Sequence, residues 1–149
     1  GVKDAGLASL CGLGTALDGM KGTAPGAAAG EALEAFSAAY SQVSEDGSGN
    51  FIFAPQAYDA VMLMAISAAA NGVTGPEIAS GLVAASSGGE KCIGVACIAL
   101  AADGVDVDYV GASGEIELNE AGDPTAATYD IWTTEGDVNP VLKSVDFGS

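Results

Sequence analysis

FIFAPQAYDAVMLMAISAAANG, Phe51 to Gly72, carries one formal charge, Asp59, in its whole length. Pro55 has the fixed φ and missing N–H that suit the first turn of a helix, and Asn71-Gly72 supplies a left-handed stop. Val61, Leu63, Met64, Ala65 and Ile66 cover more than one face, which predicts a core helix buried on most sides. At about 16 residues, with Gln56 and Asp59 near its start, it is short for a bilayer span.

Around this rod the composition narrows the functions open to the chain. With 149 residues it can form one domain with its own core, or part of something larger. Twenty acidic residues stand against four lysines (Lys3, Lys21, Lys91 and Lys143), without Arg or His, for a net charge of −16. Such a surface cannot displace counterions from phosphates, which excludes nucleic acid, and it is repelled by anionic membranes. It suits a solvated face in a salty or extracellular setting. No signal peptide, lipobox or transmembrane stretch is present, and the opening glycine reads as a processed or truncated start.

The neighbouring segments supply the partners of the rod. Residues 4–13 predict a short helix with Asp4 as N-cap and Leu7, Leu10 and Cys11 on one face. Residues 17–23 form a weak strand, and 28–43 a helix through Leu33, Phe36, Tyr40 and Val43. After the rod, Thr74 or Gly75 caps a short helix, and Cys92 to Ala102 reads as a further apolar helix. The period then changes to two: Val105, Val107 and Tyr109 alternate with Asp106 and Asp108, Ile116 and Leu118 with Glu115 and Glu117. Residues 119–125 turn the chain into a returning strand at 127–133, and the tail 135–149 suggests a loop with one short strand. Helices alternating with strands, closed by a β ribbon over 105–133, make the class α/β.

Motifs for chemistry are sparse. Gly12-Leu13-Gly14 has the wrong spacing for a dinucleotide fingerprint and follows a helix, so it reads as a helix cap and no cofactor is expected. Asn119, Glu120 and Asp123 lack the ligand number of a calcium loop and read as a turn. Cys11, Cys92 and Cys97 give no zinc spacing without His, so no metal is expected; Cys92 and Cys97 could close a small loop in an oxidising compartment. No nucleophile has a local base, which argues against an enzyme. Gln56 and Tyr58 sit in the first turn of the rod, where free N–H groups attract carboxylates. Two readings stand for them: they line a cleft or its hinge, or Tyr58 is core with its hydroxyl satisfied locally.

GVKDAGLASLCG, ALDGMKGTAPG, FAPQAYDAVMLMAISAA and GGEKCIGVACIALAADGVDVDYVGASGEIELNEAGDPTAATYDIW, taken together, resemble successive segments of a known family. It is the branched-chain amino-acid type of ABC-transporter substrate-binding protein, the type I periplasmic binding proteins similar to those for leucine, isoleucine and valine. The resemblance covers about residues 1–133 and is weak over 134–149. Glu115 departs from it, standing where relatives usually carry proline.

The resemblance implies two α/β lobes, helices on a parallel sheet, closing around a ligand. Residues 1–45 would end one lobe, 46–55 would form a crossover or hinge, and 56–149 would belong to the second lobe with ribbon and tail. It places the acidic residue that grips the ligand's amino group just before Gly1, and a Ser/Thr cluster further upstream, so the chain is expected to be the C-terminal portion of a longer protein. It implies a Cys92–Cys97 disulfide, and ligand contacts at Gly1, Val2, Gln56 and Tyr58. The expected function is capture of a small amino acid or amide for an ABC permease, in the periplasm or outside the cell, without catalysis. The missing part of the pocket would come from an N-terminal portion or neighbouring subunits. An alternative is an extracellular structural subunit that reuses this fold and self-assembles through its ribbon edges.

Overall fold

The computed structural model describes residues 6–44 and 52–148. Asp4 as a cap, Gly1 and Val2 as ligand contacts, and residues 46–51 of the expected crossover lie outside the described residues. Among the described residues, five helices and six strands follow in the order α1 (Leu7–Leu10), β1 (Lys21–Pro25), α2 (Glu31–Val43), α3 (Ala54–Asn71), α4 (Gly75–Gly81), β2 (Glu90–Ile93), α5 (Val95–Ala102), β3 (Val107–Gly111), β4 (Gly114–Glu115), β5 (Ala127–Thr133) and β6 (Val141–Phe147). The chain is therefore α/β, as its alternating periods predict.

The apolar rod is α3, with Pro55 in its first turn and Gly72 at positive φ closing it. Its Met62, Leu63 and Ile66 pack with Cys97 and Ala101 of α5 and with Val107 and Tyr109 of β3. Buried Ser67 donates to the carbonyl of Ile78 at 2.7 Å, fastening α3 to α4. Thr74 caps α4, and its backbone N–H and hydroxyl both donate to Glu77, at 2.9 and 2.7 Å. These bonds hold the Glu77 carboxyl below its ordinary range. The expected burial of α3 on most sides is corrected: Val61 and Met64 are 59% and 44% exposed, so a second apolar face of the helix is open.

Strand pairing corrects the local reading in several places. The helix expected from Cys92 starts only after Gly94: Cys92 and Ile93 belong with Glu90 and Lys91 to a strand that pairs in parallel with β3, Cys92 opposite Tyr109. Gly94 stands at φ 56 and ψ −148, a region essentially restricted to glycine, and there the extended chain turns into α5. The parallel sheet is thus one parallel pair, extended by antiparallel β4. The ribbon over 105–133 does not form as one unit: β5 pairs with β1 and with β6, Ile131 lying opposite both Thr23 and Lys143. The weak strand of 17–23 is displaced to Lys21–Pro25, and the tail contains a seven-residue strand, β6. In α1 the buried residue is Ala8, while Leu10 is 83% exposed. No helix among the described residues is long and apolar enough to cross a membrane.

Candidate functional site

A cleft of about 330 Å³ opens between α2, the first turn of α3 and the segment joining β2 to α5. One wall is Ala32, Ala35 and Phe36 of α2; facing it are Ile93, Gly94, Val95 and Ala96. Tyr58 enters from α3, with its ring centroid 5.2 Å from that of Phe36 at a tilt of 51°, a tilted aromatic contact. Tyr109 and Ala112, each 1% exposed, form the floor.

Among the described residues, no charged side chain lines this space. Its polar groups are the Tyr58 hydroxyl, which has no hydrogen-bond partner among the described residues, and the Val95 and Ala96 amides that open α5; the next amide, that of Cys97, donates to the Gly94 carbonyl at 3.2 Å. A Cβ on Gly94 would stand 4.0 Å from the Tyr58 hydroxyl, so the glycine keeps that side of the cleft open. The Cys92–Cys97 disulfide ties the end of β2 to the first turn of α5 across Gly94 and fixes this wall; Cys11 is free and exposed.

Behind the floor lies Asp59, 2% exposed. Its Oδ1 accepts hydrogen bonds from the Tyr109 hydroxyl at 2.8 Å and the Ala112 amide at 2.7 Å. Its Oδ2 accepts from the Ser113 amide at 2.8 Å and the Ser113 hydroxyl at 2.6 Å. Four donors replace the water a buried carboxylate would otherwise need. Gly111 lets the turn come this close, because a Cβ there would lie 2.6 Å from Asp59 Oδ2. Burial first, and then the adjoining Asp59 charge, push the Tyr109 phenol above its ordinary value.

The expected site residues separate. Tyr58 lines the cleft, whereas Gln56 does not: its amide donates to the Gly26 carbonyl at 2.7 Å, holding the lead into α2. Asp59 is the residue local reasoning passed over. Its signal was a lone carboxylate within an apolar helix, which needs buried donors, but its partners lie fifty or more positions away. Asn119 spends its side-chain oxygen on the amides of Ala121 and Asp123, a closed turn. Among the described residues, no three His, Cys, Asp or Glu side chains gather to hold a metal.

The fold has a solved counterpart. A leucine-binding protein, LivK, from Thermotoga maritima superposes with a TM-score of 0.56 at 19% identity, over 87% of this chain and 31% of that one. The chain therefore spans about a third of the length of that structure, and the likeness is one of fold. No curated protein gives a significant match. Residues 15–137 match the family described as the receptor family ligand binding region. That match takes in most of the sequence, including every residue that lines the cleft, and the chain belongs to this family of ligand-binding regions.

Proposed function

We propose that the chain is the C-terminal portion of an extracytoplasmic solute-binding protein, capturing a small amino acid or amide in the periplasm or at the cell surface for delivery to an ABC permease. The observation that carries the reading is the uncharged, aromatic-edged cleft within a chain of a ligand-binding family. Its alanine, isoleucine and valine walls suit an aliphatic side chain, and Tyr58 with the α5 amides offers hydrogen bonds to a polar end. Tyr58 is the ligand contact supported by the geometry; Gln56 supports the hinge from Gly26, and Gly1 and Val2 are assigned to the cleft lip by resemblance alone. Residues 46–55 are assigned to the crossover between two lobes, 1–45 and 56–149. The pairing of β1 with β5, and of β5 in turn with β6, supports placing 127–147 with the first lobe instead. An N-terminal portion or neighbouring subunits would complete the pocket, by closure.

The test is thermal unfolding of this chain with L-leucine, L-isoleucine, L-valine and small amides, alongside sedimentation. A monomer stabilised by one of these supports the proposal; no response to any of them, from this chain or from this chain joined to its N-terminal portion, removes it. One observation favours a second reading, a self-assembling structural subunit: β6 is exposed along its whole length and presents Val141, Leu142, Val145 and Phe147 at a sheet edge. Large concentration-dependent particles without a ligand response would select it.

A further inference from the structure

We infer that Asp59 is the positioning residue of the cleft, setting its floor and one of its walls through a single carboxylate. The inference rests on reading the cleft as the solute site. Adjacent residues of α3 divide the work: Tyr58 points into the cleft, and Asp59, about 100° further round the helix, sits behind it. Through Oδ1 the carboxylate holds Tyr109 and Ala112, both part of the floor. Through Oδ2 it holds the amide and hydroxyl of Ser113. The Ser113 carbonyl in turn accepts the Ala28 amide at 3.1 Å, just ahead of the α2 wall. One continuous set of hydrogen bonds therefore runs from α3 through the β3–β4 turn to the segment that aims α2.

The same set decides what a ligand meets. With its hydroxyl committed to Asp59, Tyr109 offers only its ring, and Tyr58 is the hydroxyl left to the cleft. Asparagine cannot reproduce this arrangement, because its amide nitrogen would face donors that require an acceptor.

Amide hydrogen exchange on the intact chain tests the inference without a ligand. Asp59→Asn should speed exchange at Ala112, Ser113 and Ala28 about ten- to a hundredfold, while the β2–β3 ladder keeps its rates. Ile66→Val, in the core away from the cleft, is the control for a general loss of stability. Uniform acceleration in Asp59→Asn matching that control, or an unchanged Ala28 amide, would overturn the positioning role. If Asp59→Asn does not fold, Ser113→Ala keeps the carboxylate and removes one donor. The Ser113 and Ala28 amides should then still exchange faster than the ladder, and unchanged rates there would overturn the role equally. Thermal shift with L-leucine, run on the same proteins, separates the two readings. A wild-type chain that ignores leucine and the other solutes counts against the solute site, whereas the exchange pattern decides Asp59 in either case.

Discussion

Replacing Tyr109 by phenylalanine should weaken the protein near neutral pH and lose that disadvantage in alkali. The ring is 1% exposed and its hydroxyl donates to Asp59 at 2.8 Å, so the variant keeps the packing and loses one bond to a charged acceptor. Such a bond contributes about 1.5–3 kcal/mol, and since Asp59 retains three donors, we expect a loss of about 2 kcal/mol. Burial and the Asp59 charge hold the phenol protonated above its ordinary pKa of 10.0 in the folded state. The unfolded chain releases that proton near 10, so the stabilisation is complete below this pH and declines as pH rises beyond it. Once the unfolded phenol is ionised the decline is about 1.4 kcal/mol per pH unit, the linkage slope for one proton. Urea denaturation of both proteins from about pH 8 to about pH 12 should show a gap that halves between about pH 10 and about pH 11 and closes between about pH 11 and about pH 12. Other titrating groups are common to both chains and cancel in the difference. A gap that stays constant across this range would refute the assigned environment of Tyr109.

Gly111→Ala should cost about 1–3 kcal/mol, because the new Cβ meets Asp59 Oδ2 and Ile116 Cδ1, each at 2.6 Å. An unchanged urea midpoint would show that the turn does not approach α3 so closely. The double variant Cys92→Ala, Cys97→Ala should lose about 2 kcal/mol, the chain-entropy value for a short loop; reductant should lower the wild-type midpoint and leave that of the variant in place. With a net charge of −16 and four lysines, the melting temperature should climb as salt shortens the screening length from about 10 Å at 0.1 M to about 3 Å at 1 M. A flat or falling melting temperature would mean that acidic self-repulsion does not limit stability.

What the sequence revealed and what it hid divide by the distance between partners along the chain. The bounds of α3 follow from Pro55 and Asn71-Gly72, and the α4 cap from Thr74 and Glu77, all signals contained within a few residues. The Cys92–Cys97 bridge, implied by the resemblance, is present and spans five positions. Glu90–Ile93 was illegible as a strand because four residues cannot show a period of two, and the helix-like apolar run after it masked the break at Gly94. β6 was legible only as one short strand somewhere in the tail, without bounds or partner: all seven of its residues are exposed, so no alternation of burial marks it, and it depends on backbone pairing with β5.

The cleft belongs to the same class of hidden feature, because α2, α3, β2, α5 and β3 each contribute only part of it. Its nearest sequence signal was the pair Tyr58-Asp59. An amphipathic reading assigns the aspartate to solvent or to the helix dipole, since charge near an N-terminus is ordinarily favourable there. The rest of α3 speaks against that: Pro55, Met62 and Ile66, at separations of four, three and seven from Asp59, are buried and share its face. A carboxylate on a buried stripe has to find donors or stay protonated, and hydroxyl and glycine-turn partners are what this chain, without Arg or His, has available. The segment Tyr109-Val110-Gly111-Ala112-Ser113 supplies a phenol, two amides and a hydroxyl in five residues, with a glycine where the approach is closest. The pairing thus follows from the shortage of cations as much as from the presence of the acid, and it brings the ring of Tyr109 under the cleft that Tyr58 enters from the neighbouring position.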